Sequence, residues 1–185
     1  MSTVLINYVL LLKIPMYNWL YVSKFNINNP PDDGDINRSD YIKNLYSEYN
    51  ETLSKNNISR HDFIIKKYFT SLNMDIMKYR VKCTKSTKSI ISYSSYPSYL
   101  DKGFTLAKND FPYDVENDIK CYVLWFHPDI KNIDEIINDG NILPELIKDK
   151  AESINLKYTD FICFENKPIL RSISSVRHLH IFFNV

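Results

Sequence analysis

The run Ile119 to Phe126 (IKCYVLWF) constrains this chain more than any other segment. It is apolar at nearly every position and rich in β-branched and aromatic residues. Eight residues is short for a buried helix and ordinary for a strand, so the run predicts a central strand. Two further segments read the same way, Tyr158 to Phe164 (YTDFICF) and Val176 to Phe183 (VRHLHIFF). Between them, Lys131 to Asp139 followed by Gly140 predicts a short helix closed by a C-terminal glycine. Leu143 to Ile154 predicts another, with Pro144 tolerated in its first turn.

The first half has a different period. Residues 26–37, punctuated by Pro30, Pro31 and Gly34, predict a loop. From Ser39 to Leu53, the residues Ile42, Leu45, Tyr46 and Tyr49 recur at helical spacing. Ser59-Arg60-His61-Asp62 resembles a capping box and predicts a second helix carrying Phe63, Ile64, Tyr68 and Phe69. The expected fold class is therefore α+β: N-terminal helices packed on a C-terminal, mainly antiparallel sheet. Residues 1–35 are read as an extension and loop. Residues 36–185 are read as one α+β domain, helical over 36–90 and sheet-forming over 91–185.

A chain of 185 residues, 44% hydrophobic and 24% charged, is long enough for one packed domain and excludes whole-chain disorder. A net charge of +1 supplies no global pull toward nucleic acid or an anionic membrane, so neither is expected as a partner. A local basic run, Lys78, Arg80, Lys82, Lys85 and Lys88, reads as a solvated face rather than an anion patch. The apolar stretch Val4 to Leu12 is too short to span a bilayer and lacks the basic start of a secretory signal. Three scattered cysteines (Cys83, Cys121, Cys163) without a close pair argue for reduced thiols and a cytoplasmic setting. Abundant Asn, Lys, Ile and Tyr beside scarce Gly and Ala suggest an A+T-rich genome, a protist's or a large virus's.

The candidate chemistry lies in His178-Leu179-His180. Strand side chains alternate, so the two imidazoles share one face, roughly 6.5–7 Å apart. Both metal sites and histidine nucleophiles use such spacing, and so does a plain pair on a solvated face.

Asn166-Lys167-Pro168, then Ser174-Ser175-Val176-Arg177 before the histidines, resembles the histidine-triad superfamily of nucleotide-binding proteins. The resemblance implies His180 as a nucleophile toward phosphorus, His178 beside it, Ser175 on phosphate, Asn166 orienting, and Asn109 or Asp110 facing the ribose. It also implies a homodimer by analogy. A longer match covers residues 36–185. Arg38-Ser39, Asn109-Asp110-Phe111-Pro112-Tyr113, Tyr122 to Trp125, Asn166-Lys167-Pro168, Ser172 and His178-Leu179-His180 look like the N-acetylglucosamine-induced protein family. This chain departs from both patterns. Phe182 stands where a third alternating histidine would fall, Cys121 replaces a strand histidine, and Lys167 breaks an Asn-Pro-Pro.

Three functions compete. One is a nucleotidyl transferase or hydrolase acting on a nucleotide or sugar phosphate, with Arg177 or Arg171 offsetting oxyanion charge. A second is a zinc site of Cys121, Cys163, His178 and His180, which has the right donor types but no close-spaced pair. The third is a non-catalytic binding or sensing protein that keeps the fold, favoured by Phe182 and Cys121. No Gly-rich phosphate loop is present, so no such nucleotide cradle is expected, and no metal or cofactor enters the leading reading.

Overall fold

The computed structural model describes residues 16–69 and 103–185. The apolar stretch Val4 to Leu12, the basic run Lys78 to Lys88 and Cys83 lie outside the described residues.

The chain is an α+β protein. Helices α1 (Trp19–Val22), α2 (Asp40–Lys55) and α3 (Arg60–Phe69) precede strands β1 (Phe104–Lys108) and β2 (Ile119–Phe126). Helices α4 (Ile133–Asn138) and α5 (Ile142–Ser153) follow, then β3 (Asp160–Phe164), a 3-10 turn at Pro168–Leu170, and β4 (His178–Asn184). The strands form one sheet in the order β1-β2-β4-β3, every pair antiparallel. The two most apolar segments, β2 and β4, are its centre. Strand β1 was not legible in the sequence: FTLAK is only five residues long, and its outward Lys108 and half-buried Thr105 and Ala107 dilute the signal.

Both faces of the sheet are covered, which is why β2 and β4 read as continuous apolar runs rather than alternating ones. On one face, Leu124, Leu179, Ile181 and Phe183 pack against Ile136, Ile137, Leu146, Ile147 and Ala151 of α4 and α5. The other face carries Trp125, Val123 and Cys121 opposite His178, His180 and Phe182. There Tyr17, Val22, Phe25 and Ile36 cluster with Tyr113, Phe164 and Phe182, so the stretch before α2 supplies core side chains. Ile64 and Phe69 of α3 cover Val123, Trp125 and Val176 on the same side.

Local chemistry sets the helix ends. Ser39 Oγ accepts from Ile42 N–H at 3.4 Å at the start of α2. The expected N-cap forms at α3, where Ser59 Oγ accepts from Asp62 N–H; the Asp62 carboxylate accepts from the Ser59 hydroxyl and not, as in a full capping box, from its backbone N–H. Asn57 and Asn155 adopt left-handed conformations just past α2 and α5, where Ile58 and Leu156 N–H return to the Leu53 and Ala151 carbonyls. Gly140 is not the C-terminal cap it was expected to be. Asp139 holds that junction, its Oδ1 accepting from Asn141 and Ile142 N–H. Among the described residues, no helix is long and apolar enough to cross a membrane.

Candidate functional site

The register β2–β4 pairs Trp125 with His178 and Val123 with His180, placing both imidazoles on the face beneath the N-terminal segments. The face is buried rather than solvated. His180 is 5% exposed, its ring stacked on Phe164 at 5.5 Å and met edge-on by Tyr113 at 5.5 Å. His178 lies 5.5 Å from His180, centroid to centroid, and tilts against Trp125 at 4.6 Å; Trp125 in turn stacks on Tyr68. Trp125 is therefore core, as its apolar strand predicts.

Hydrogen bonds separate the roles of the two rings. His178 Nδ1 donates to its neighbour Val176 carbonyl at 2.9 Å, a local bond that fixes the ring. His180 Nε2 faces the Asn166 side-chain amide at 3.1 Å, and its Nδ1 is buried without a partner. Burial lowers the pKa of both imidazoles, His180 well below the usual histidine range, with His178 and Arg38 adding to the effect. Both rings are neutral near pH 7.

Asn166 connects this buried pair to a cleft of about 240 Å³. Arg38, Lys43, Tyr46 and Tyr113 line it with Asn166, and so do Asp32 and Asp33 of the loop before α2. Arg38 is half-buried. Its Nε donates to the Phe111 carbonyl at 2.8 Å, and its guanidinium lies 4.7 Å from the Tyr113 ring centre. Burial pushes the Tyr113 hydroxyl pKa up, opposed by the Arg38 charge and by Asn166. Asp32 is ion-paired with Lys167, and Lys43 lies 3.4 Å from Asp40.

The remaining sequence candidates go elsewhere. Asn109 Oδ1 accepts from Phe111 N–H at 3.0 Å, an Asx turn that shapes the loop after β1. Asp110 is exposed and ion-paired with Lys67 at 2.5 Å. Ser175 is exposed, with His61 Nδ1 3.1 Å from its Oγ. Arg177 grips Glu165 through two nitrogens, at 2.9 and 3.0 Å, and meets Asp134 at 2.6 Å. Arg171 also reaches Glu165, at 3.2 Å. These two cations are closed on carboxylates and line a second cavity beside Asp134 and Asn138. Sequence reasoning missed Arg38 as a site residue. It registered only as the start of a helix, because its partners Phe111 and Tyr113 lie more than seventy positions away.

The four-ligand zinc arrangement is excluded by parity. Cys163 pairs with Ile181 and faces the α4–α5 side, away from the histidines. Burial holds the Cys121 thiol at about 12 and the Cys163 thiol at about 11. Among the described residues no three His, Cys, Asp or Glu side chains are grouped to hold a metal ion.

A two-layer cover on a four-stranded antiparallel sheet, with a buried histidine pair behind a polar cleft, defines the class: a small α+β protein. The chain belongs to the family described as protein of unknown function DUF3605, which matches residues 27–184. A solved structure, described as the crystal structure of HTC1, is similar over 91% of this chain and 85% of that one, with 16% identity and a TM-score of 0.53. At that identity the likeness speaks to fold alone. No curated protein matches the chain.

Proposed function

We propose that this protein binds a small phosphate-bearing ligand, a sugar phosphate or nucleotide sugar, in the cleft between Arg38 and Asn166. The observation that carries this is Arg38. It is half-buried in the cleft, and none of the described carboxylates pairs with it, whereas Arg171 and Arg177 are both closed on Glu165. A partly desolvated guanidinium with an open donor fork suits a phosphate better than any neutral group. The cleft is also bipolar. Arg38 and Lys43 supply the cationic part, while Asp32, Asp33, Asn37 and Asn166 offer acceptors and amides suited to hydroxyl groups. Tyr46 and Tyr113 supply ring surface for a sugar or base. The resemblance to the N-acetylglucosamine-induced proteins points in the same direction, toward an amino-sugar phosphate.

In this reading His180 is a positioning residue. It holds the Asn166 amide at the cleft wall, and Asn166 touches the ligand. A second reading, nucleotidyl transfer through His180 as in the histidine-triad superfamily, is favoured by the neutral imidazole, since only the neutral form is a nucleophile. It requires Asn166 to leave Nε2 and the ring to become accessible. Calorimetric titration of the full chain with glucose 1-phosphate and uridine diphosphate glucose tests the binding reading. Binding to the wild type, lost in Arg38→Gln, is the expected result. A phosphoramidate trapped on His180 after incubation would establish transfer instead. No binding of either probe would end the proposal.

A further inference from the structure

Among the described residues, a second arginine besides Arg38 has no carboxylate partner on this side of the protein. Arg60, at the start of α3, donates through Nη1 to the Ser172 carbonyl at 2.6 Å. Its guanidinium carbon lies 5.6 Å from the centre of the Tyr46 ring, and that of Arg38 lies 5.9 Å from the same centre. None of the described carboxylates pairs with Arg60. Asp62, close by in sequence, is turned back onto Ser59. Beside Arg60, His61 Nδ1 and Ser175 Oγ meet at 3.1 Å, tying α3 to the segment before β4. Tyr46 also buries its hydroxyl without a partner. Arg171 and Arg177 line the second cavity instead, and each has a carboxylate to neutralise it.

We infer that Arg60, with His61 and Ser175 as neighbouring donors, forms a second anion subsite against the Tyr46 ring that Arg38 also approaches, so that the ligand carries two phosphate-type groups. The inference rests on the reading of the Arg38 cleft as a phosphate site. Both guanidinium carbons lie within 5.9 Å of one ring centre, within reach of two phosphate groups of a single small molecule. Each makes one bond to a backbone carbonyl, Arg38 also meets the Tyr113 hydroxyl, and both keep further N–H donors for a ligand, because a guanidinium has five. His61 and Ser175 now satisfy one another. With a phosphate in place, the Ser175 hydroxyl and a ring N–H of His61 can each donate to its oxygens. Sugar bisphosphates and nucleoside diphosphate sugars share this chemistry.

Three probes separate the possibilities in calorimetric titrations of the full chain: glucose 1-phosphate, glucose 1,6-bisphosphate and uridine diphosphate glucose. The expected result is that at least one doubly anionic probe binds about tenfold or more tighter than the monophosphate. Which of the two does so identifies the source of the second anion. Arg60→Gln should bring that probe down to the affinity of glucose 1-phosphate and leave glucose 1-phosphate itself unchanged. Arg60→Lys, which keeps the charge but not the fork, should fall between, and matched thermal melts show that each variant is folded. Arg38→Gln should weaken all three probes. If Arg60→Gln leaves the doubly anionic probes untouched, or weakens the monophosphate equally, the second subsite is wrong and the Arg38 cleft stands. If the wild type binds none of the three, both fall.

Discussion

The side-chain amide of Asn166 lies 3.1 Å from Nε2 of His180, and this hydrogen-bonding contact, beside the edge-on Tyr113, joins the buried face of the sheet to the cleft. Asn166 is also held through its backbone carbonyl, which accepts from Arg171 Nε at 2.8 Å. Removing the amide leaves a buried ring nitrogen without a partner, which costs about 1–3 kcal/mol. Asn166→Ala should therefore lower stability by that amount in denaturant titrations. It should also weaken glucose 1-phosphate binding, because the same side chain lines the cleft. His180→Ala should destabilise more, by about 2–4 kcal/mol, since it opens a cavity between Phe164 and Tyr113. A fully stable Asn166→Ala would show that the contact does not form.

Three buried imidazoles, His178, His180 and His127 just past β2, make stability depend on pH with a definite sign. Burial disfavours their charged forms, so their folded pKa values lie below the unfolded value of about 6.5. From about a pH unit above 6.5 neither state is appreciably protonated and the contribution is constant. As pH falls below that point the unfolded chain takes up protons first, and stability drops by up to about 1.4 kcal/mol per pH unit for each histidine. The loss levels off only once the folded pKa is passed. Urea melts at pH 7.5, 6.5 and 5.5 should show the decline, and His180→Gln should reduce its slope by the share of one residue. An unchanged slope in that variant would mean His180 titrates normally.

Arg177 and Arg38 should behave as opposites. Arg177 is bound to Glu165 and Asp134, so Arg177→Ala leaves Glu165, whose side chain is 12% exposed, with only Arg171. The variant should lose about 1–3 kcal/mol of stability with little change in affinity for glucose 1-phosphate. Arg38→Gln should lose affinity with a smaller change in stability. Measuring melts and titrations on both variants tests the assignment, and a ligand defect confined to Arg177→Ala would reverse it.

What was legible in the sequence follows from what is local. The strands β2 and β4 announce themselves because both of their faces are buried, and the Ser59 cap closes within four residues. The histidine pair was visible because strand parity alone puts His178 and His180 on one face. Parity does not say whether that face meets water, and it was the covering by Tyr113, Phe164 and Trp125 that turned an apparent surface pair into a buried one. Asn166 was found through its neighbourhood in the motif. Arg38 and Arg60 were not, since their meaning depends on Tyr46, Phe111 and Ser172, which only the tertiary fold brings to them. The same limit applies to Arg177. Its position beside the histidines suggested an oxyanion role, but Glu165 and Asp134 already neutralise it.

The cysteines offer a check on the layering of the sheet that needs no ligand. Cys121 opposes Phe182 on the histidine face, while Cys163 opposes Ile181 on the other, so the two thiols report on both covering layers. Burial raises them to about 12 and about 11, which leaves almost no thiolate at pH 8, and thiolate is the reactive form. In a Cys83→Ser variant, native protein should react negligibly with a thiol reagent at pH 8, and both sites should react on unfolding in urea. Cys163 is the less enclosed of the two and should be first to react at intermediate denaturant, as the layer of α4 and α5 loosens. Mass-spectrometric assignment of the labelled cysteine decides the order. Rapid native labelling of Cys121 would mean that the N-terminal segments do not cover the histidine face, and the burial of His180 would fall with it.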